Sequence, residues 1–233
     1  MQTGFSLYGR EHLAALALIL AWTAGMLVFL HPRRAYVKRA AKGYGIIMVL
    51  MEILRDARLL YLGEFSVGYL PLHLCSLGML LCLWYGFRRG DRGGSLYLLC
   101  LPGALCALLF PNWTHLPVGH FVSIHSFVYH GLLLQSSLLP LLGGKLRFRD
   151  AAAAFGVLCM AAAVVGGLNL WLGTNYMFLQ RPSPGSPLVY LAELPGRYGY
   201  QIGLAALSAG VILSISGITT AIQRCGKSNK DLL

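Results

Sequence analysis

The chain has 233 residues, of which 57% are hydrophobic and only 12% are charged. A soluble domain carries about 25% charged residues, so about half of the usual charge is missing. The charges that remain are mostly basic, with 19 Lys and Arg against 8 Asp and Glu. This composition excludes a disordered chain, a collagen and a disulfide-stapled secreted domain, and it favours a membrane protein.

Apolar stretches long enough to cross a bilayer occur at about seven places, separated by Gly, Pro or charged clusters. They are residues 12–30, 43–62, 70–87, 95–110, 117–142, 151–172 and 198–222. At roughly 20 residues per span, these helices and their short loops use the whole length. Residues 1–233 are therefore predicted to form a single all-α transmembrane domain, a bundle of about seven helices.

Basic residues mark alternate connections between these spans. Those that follow spans one, three, five and seven are Arg33, Arg34, Lys38, Arg39, Lys42, Arg88, Arg89, Arg92, Lys145, Arg147, Arg149, Arg224, Lys227 and Lys230. By the positive-inside rule, this distribution predicts that the N-terminus lies outside and the C-terminus in the cytosol. The basic loops are interpreted as topology markers that touch anionic lipid head groups. Nucleic-acid binding is rejected, because no compact basic domain with stacking aromatic residues is present.

Span two contains four charged residues, namely Glu52, Arg55, Asp56 and Arg58. Ionisable groups inside a span cost a few kcal/mol each on insertion scales, so they indicate either a function or mutual neutralisation. Glu52 lies three residues before Arg55 and four before Asp56, which places the three on one helix face. A binding site for a charged substrate and an internally neutralised cluster both remain open.

Spans three and five supply a thiol and its candidate bases. Cys75 follows His73 by two residues, and residues two apart on a helix point to nearly opposite faces. A base for the thiol is therefore expected from span five, which contains His125 and His130. At 1.5 Å per residue, Cys75 lies about 8 Å below a start at residue 70, His125 about 12 Å below residue 117 and His130 about 20 Å. The similar depths of Cys75 and His125 favour His125 as the base, and His130 remains an alternative.

Five short motifs occur in an order that resembles a known family. They are Leu-Pro-Leu-His-Leu-Cys at 70–75, Pro-Gly-Ala-Leu at 102–105, Phe-Pro at 110–111, His-Gly-Leu at 130–132 and Gly-Thr-Asn-Tyr-Met-Phe-Leu at 173–179. Together they resemble the bacterial YwaF-type integral membrane family. That family is related to the vertebrate transmembrane protein 164, a cysteine acyltransferase that moves a polyunsaturated acyl chain onto ether-linked lysophosphatidylethanolamine.

The resemblance implies a nucleophile at Cys75 and a histidine partner at His130. The resulting hypothesis is a membrane-embedded acyltransferase or transacylase that acts on phospholipids or lysophospholipids and needs no cofactor. His130, or His125, would act as the general base. Candidate substrate-binding residues, chosen as oxyanion donors, phosphate ligands or members of the charged cluster, are His73, Asn175, Tyr176, Arg55, Arg58, Glu52 and Asp56.

The rival hypothesis is a seven-helix transporter or ligand-binding membrane protein in which the acidic and His residues form a polar path. No metal site is predicted, because the spacing of the His residues lacks a metal-ligand signature. The expected location is a bacterial plasma membrane, crossed several times. Neither the oligomeric state nor the preferred acyl chain follows from these residues.

Overall fold

The computed structural model describes residues 4–90, 93–143 and 146–228. Within these residues the chain is helical and contains no β-strand, which confirms the all-α fold class. The α-helices are α1 (Arg10–Leu30), α2 (Val37–Tyr61), α3 (Leu74–Phe87), α4 (Gly94–Leu109), α5 (Phe121–Gly143), α6 (Phe148–Leu172) and α7 (Gly199–Ser228). Short 3₁₀ helices occur at Arg34–Tyr36, Val67–Tyr69, Tyr176–Phe178 and Pro187–Glu193.

Several of these helices are suited to a membrane. The segments long and apolar enough to cross a bilayer are Arg10–Leu30, Val67–Phe87, Arg149–Leu172 and Gly199–Gln223, and Leu96–Leu109 is a shorter apolar helix. The charged residues of α2 and the His, Ser and Gln residues of α5 lower the mean hydropathy of those two helices. The chain thus has the helices of an integral membrane protein, while seven spans and an outward N-terminus stay predictions.

Helix α5 is the centre of the bundle, because it packs against α1, α2, α3 and α4. Its residues 131–137 are buried without interruption. α2 also packs on α3, α4 packs on α6, and α6 packs on α7. The second, third and fifth helices therefore form one packed group, and their polar side chains lie close together.

Two glycines let α2 and α3 approach closely. A Cβ at Gly86 would lie 2.5 Å from the backbone nitrogen of Lys42, and a Cβ at Gly45 would lie 2.6 Å from Cγ of Leu83. Packing of helices in a bilayer depends on such small residues, because apolar burial does not drive association there. Side chains at these positions would separate the two helices that frame the candidate site.

Helix α3 begins four residues later than the predicted start at residue 70. Leu70 has extended backbone dihedrals, as the residue before a proline prefers, and Pro71 has no N–H to donate. His73 is the N-cap, with φ −81° and ψ 161°. Cys75 therefore lies in the first turn of α3, and the depth estimate that assumed a continuous helix from residue 70 does not hold. α5 likewise begins at Phe121 rather than at residue 117.

Helix α2 begins six residues earlier than predicted, at Val37. The basic residues Lys38, Arg39 and Lys42 thus lie in its first turns and not in a loop. The side chains of Arg224 and Lys227 lie outside the described part of the chain, as do Arg92, Lys145 and Lys230 in full.

Candidate functional site

Cys75 is a partly buried free thiol at the start of α3. The carbonyl of His73 accepts the N–H groups of Ser76 and Leu77, at 3.1 and 3.2 Å. The N–H groups of Leu74 and Cys75 have no carbonyl to bind within the helix, as at any helix N-terminus. Such amides stabilise negative charge. The N–H groups of Leu74 and Cys75 are therefore donors that this end of α3 offers to a ligand.

Tyr129 connects Cys75 to the histidines of α5. Its hydroxyl donates to the backbone carbonyl of Cys75 at 3.4 Å. Its ring stacks on His125, with centroids 5.7 Å apart, and lies edge-on to His130 at 5.6 Å. Both candidate bases are thus next to a side chain that touches the residue predicted to be the nucleophile.

His130 is held in one tautomer by its own helix. Its Nδ1 lies 2.7 Å from the carbonyl oxygen of Ser126, and because a carbonyl can only accept, Nδ1 carries the proton. Nε2 is then the basic nitrogen of the neutral ring. Trp113, from the connection between α4 and α5, stacks on this ring at 5.4 Å. In the structure as described, no hydrogen bond joins the Cys75 sulfur to His130 or His125.

In His125 the protonated nitrogen is Nε2 rather than Nδ1. Its Nε2 donates to the backbone carbonyl of Met51 at 3.2 Å, and the same nitrogen is 4.0 Å from Oε1 of Glu52. The ring is buried and fastens α5 to α2. Its proton is therefore committed to the neighbouring helix.

The charged cluster of α2 is internally paired. Arg55 donates to Oε1 of Glu52 at 2.9 Å and to Oδ1 of Asp56 at 2.8 and 2.9 Å. A further bond reaches the carbonyl of Tyr69 at 2.7 Å. This favours the interpretation in which Glu52, Arg55 and Asp56 neutralise one another. Arg58 differs: it is exposed, and its guanidinium lies 4.6 Å from the centre of the Phe121 ring.

Asn169 organises the chain that follows α6. It is fully buried, and its Oδ1 accepts the N–H of Tyr176 at 2.8 Å and the hydroxyl of Thr174 at 2.9 Å. Its Nδ2 donates to the carbonyl of Tyr176 at 3.0 Å. Gly173 ends α6 in the left-handed conformation that glycine tolerates. Asn169 is not among the site residues predicted from the sequence.

Asn175 and Tyr176, both predicted to bind substrate, have their side chains committed to this connection. Asn175 accepts the N–H groups of Gln180 and Arg181 and donates to the carbonyl of Arg181. The buried Tyr176 donates its hydroxyl to the carbonyl of Val67. The Asn175 bonds close residues 173–181, hereafter the strap, on themselves. The Tyr176 bond fastens the strap to the segment that leads into α3.

The strap also fixes His73. The N–H of Met177 donates to Nδ1 of His73 at 3.3 Å, so the proton of the neutral ring is on Nε2. The Tyr176 ring packs edge-on against His73 at 5.2 Å, and Tyr200 donates to the carbonyl of Phe178. Met177 and Phe178 have positive φ angles of 57° and 53°, which are strained for such side chains and persist only where contacts enforce them. His73 is thereby kept as a hydrogen-bond donor.

Three buried side chains have polar atoms without a hydrogen-bond partner in the described structure. They are the indole nitrogen of Trp113, the hydroxyl of Ser123 and both amide atoms of Gln135. A buried donor left unpaired costs about 1–3 kcal/mol. Trp113 is only 6% exposed and was missed by sequence reasoning, because nothing near residue 113 in the sequence indicates contact with His130.

The arrangement contains no candidate metal centre, since no group of three or more His, Cys, Asp or Glu side chains in the described residues is placed to hold an ion. Among known proteins, no curated protein and no solved structure matches the chain. The model of the TMEM164 family matches residues 7–215, from before α1 into α7. This match includes every residue of the candidate site and nearly the whole chain, and the protein therefore belongs to the TMEM164 family.

Proposed function

We propose that the protein is a membrane-embedded acyltransferase or transacylase that acts on phospholipids and lysophospholipids through Cys75 and His130. The observation that carries the proposal is the position of Cys75. It lies in the first turn of α3, and its backbone is bonded to Tyr129, which contacts both His125 and His130. Membership in the TMEM164 family supports the same assignment. The proposed location is the plasma membrane of a bacterium.

In the first half-reaction, Nε2 of His130 takes the thiol proton and the Cys75 sulfur attacks the ester carbonyl of a phospholipid. The acyl–oxygen bond breaks, and the lysolipid leaves with the proton from His130. The sulfur and Nε2 are not hydrogen-bonded without substrate. Catalytic hydrogen bonds are often long in unliganded enzymes, and here the lipid must bring the two groups together.

The negative charge on the carbonyl oxygen needs fixed donors. The N–H groups of Leu74 and Cys75 are available at the start of α3. Nε2 of His73 adds a third donor, because Met177 holds the other ring nitrogen as an acceptor. We therefore assign His73 to the oxyanion site, whereas Asn175 supports the strap.

In the second half-reaction, a lysolipid hydroxyl or water attacks the thioester. His130 removes the proton of the attacking oxygen, and the Cys75 sulfur leaves and recovers that proton. His130 is better suited to this exchange than His125, because His125 donates its Nε2 proton to Met51. Arg58 is the proposed ligand of the lipid phosphate, since it is exposed at the end of α2 and guanidinium matches phosphate geometry.

The proposal is tested with purified protein in lipid nanodiscs that contain a labelled phospholipid and an unlabelled lysophospholipid. Wild type is expected to produce labelled acyl transfer, and Cys75→Ser is expected to lose it. Cys159→Ser is the matched control, because Cys159 is an exposed thiol on α6. Transfer that persists in Cys75→Ser would remove the nucleophile assignment. No transfer by wild type, combined with proton or solute flux, would favour the transporter.

A further inference from the structure

Trp113 contains a hydrogen-bond donor that the fold leaves unused beside the proposed base. Its indole ring lies 5.4 Å from the His130 ring with an angle of 15° between the planes. Phe127 packs against it edge-on at 5.5 Å. The side chain is buried, yet its N–H has no partner within the described residues. Burial without a partner destabilises the unliganded protein, so the donor requires an explanation.

Ser123 gives an independent observation on the same surface. It is fully buried, and its hydroxyl has no partner among the described residues. Ser123, Phe127 and His130 are spaced by four and three residues along α5, which places them on one helix face. Trp113 contacts Phe127 and His130 on that face. Two unpaired polar groups thus accompany the basic histidine.

The chemistry of these groups indicates what they bind. An indole N–H is only a donor and does not titrate, so its partner must be an acceptor such as an oxygen. The oxygen that approaches His130 in the second half-reaction belongs to a hydroxyl, which has one proton and two lone pairs. The proton faces Nε2 of His130, and a lone pair remains for Trp113.

We propose that Trp113 binds the attacking hydroxyl oxygen of the acyl acceptor, a lysolipid or water, and that Ser123 bonds a second oxygen of the lysolipid glycerol. The inference rests on the proposed function. The acceptor oxygen forms a bond to the acyl carbon of the Cys75 thioester, and the carbon–sulfur bond breaks. The acceptor proton passes to Nε2 of His130 and then to the departing sulfur. Trp113 donates its hydrogen bond throughout and transfers nothing.

Trp113→Phe is the first variant, because it keeps an aromatic ring against His130 and removes the N–H together with part of the indole. The oxygen that leaves in the first half-reaction occupies the same site beside His130 as the oxygen that attacks in the second, so acylation of Cys75 and transfer to the lysolipid should both slow. Each step should slow up to about tenfold, roughly what one lost hydrogen bond to a neutral group produces. The acylated fraction of Cys75 should therefore stay close to that of wild type while transfer falls. Thermal stability should fall, since Phe is smaller than the buried Trp and leaves a cavity. Trp171→Phe, at an exposed Trp of α6, is the matched control.

The readouts are the acylated fraction of Cys75 by peptide mass spectrometry and the rate of transfer in the same nanodiscs. Equal transfer by wild type and Trp113→Phe would overturn the role of Trp113 and leave the acyl-enzyme mechanism standing. No acylated Cys75 in wild type would overturn the mechanism and this inference with it. Benzothienylalanine at position 113 preserves the ring shape without the N–H, so it separates the lost hydrogen bond from lost packing, and the same fall in transfer is expected.

Discussion

The end of α2 and the face of α5 around His130 are both polar regions inside an apolar bundle, but they treat their polar groups differently. At the end of α2, Arg55 binds two carboxylates and a carbonyl. Around His130, Nε2 of that residue and the donors of Trp113 and Ser123 lack such partners in the described structure. Buried polar groups with all their bonds made stabilise the fold, whereas unpaired ones need an explanation, for which we propose a bound lipid at His130. Charge alone is therefore a poor guide to this site.

The largest expected effect is on catalysis. His130→Ala should lower acyl transfer by about 10²–10⁴-fold, the range typical of a lost general base. His31→Ala is the control, because His31 is exposed at the end of α1. The rate of acyl transfer in nanodiscs is measured for both variants and for wild type. Full activity in His130→Ala would show that another residue is the base and that the region around His130 is not the catalytic one.

Removal of Arg55 should mainly affect stability. Arg55→Ala would leave Glu52 as a buried and unpaired carboxylate, and breaking such a pair costs about 3–5 kcal/mol. Unfolding in detergent, followed by circular dichroism, measures the loss. Arg39→Ala, at an exposed position of α2, should change little. An unchanged midpoint for Arg55→Ala, together with reduced lipid binding, would instead make the cluster a substrate site.

The strap provides an intermediate case. Asn169→Ala removes three hydrogen bonds to Thr174 and Tyr176 and should destabilise the protein by about 2–3 kcal/mol. Because the strap holds His73, acyl transfer should fall as well, even under conditions where the variant is folded. Asn112→Ala, at an exposed Asn, is the comparison variant. Lost stability with full activity in the folded fraction would show that the strap stabilises the protein but does not contribute to the site.

The smallest expected effect belongs to Arg58. Arg58→Gln should raise the apparent KM for phospholipid about three- to tenfold, since an exposed charged contact contributes about 1 kcal/mol. The turnover number should stay unchanged, because a phosphate contact far from the reacting carbon holds substrate and transition state equally. Lipid titrations of the transfer rate distinguish the two. A change in turnover alone would place Arg58 nearer to the chemistry than proposed.

The all-helical fold could be predicted from the sequence, because long apolar runs bounded by Gly, Pro and charge have few other structures available. It misplaced the start of α3, since Pro71 and the extended N-cap His73 delay the first turn. That error hid the position of Cys75 beside unpaired amides. Family resemblance selected His130, whereas depth arithmetic had preferred His125.

The contacts that Asn175 and Tyr176 make could not be predicted from the sequence. Their partners are backbone carbonyls, of Arg181 for Asn175 and of Val67 for Tyr176, and side-chain identity does not reveal them. The contact between Trp113 and His130 could not be predicted either, because it depends on the path of the connection between α4 and α5. Polar residue types in the spans predicted the candidate residues, and only the hydrogen bonds separate those that support the fold from those that are free to bind a ligand.

The most direct test is the covalent state of Cys75 during turnover. Wild-type protein is mixed with phospholipid and digested, and the peptide that contains Cys75 is weighed by mass spectrometry. We expect a hydroxylamine-sensitive mass increase equal to one acyl chain, formed before transfer and absent in Cys75→Ser. Acyl transfer that proceeds with Cys75 unmodified at every time point, or with the acyl chain on another residue, would contradict it.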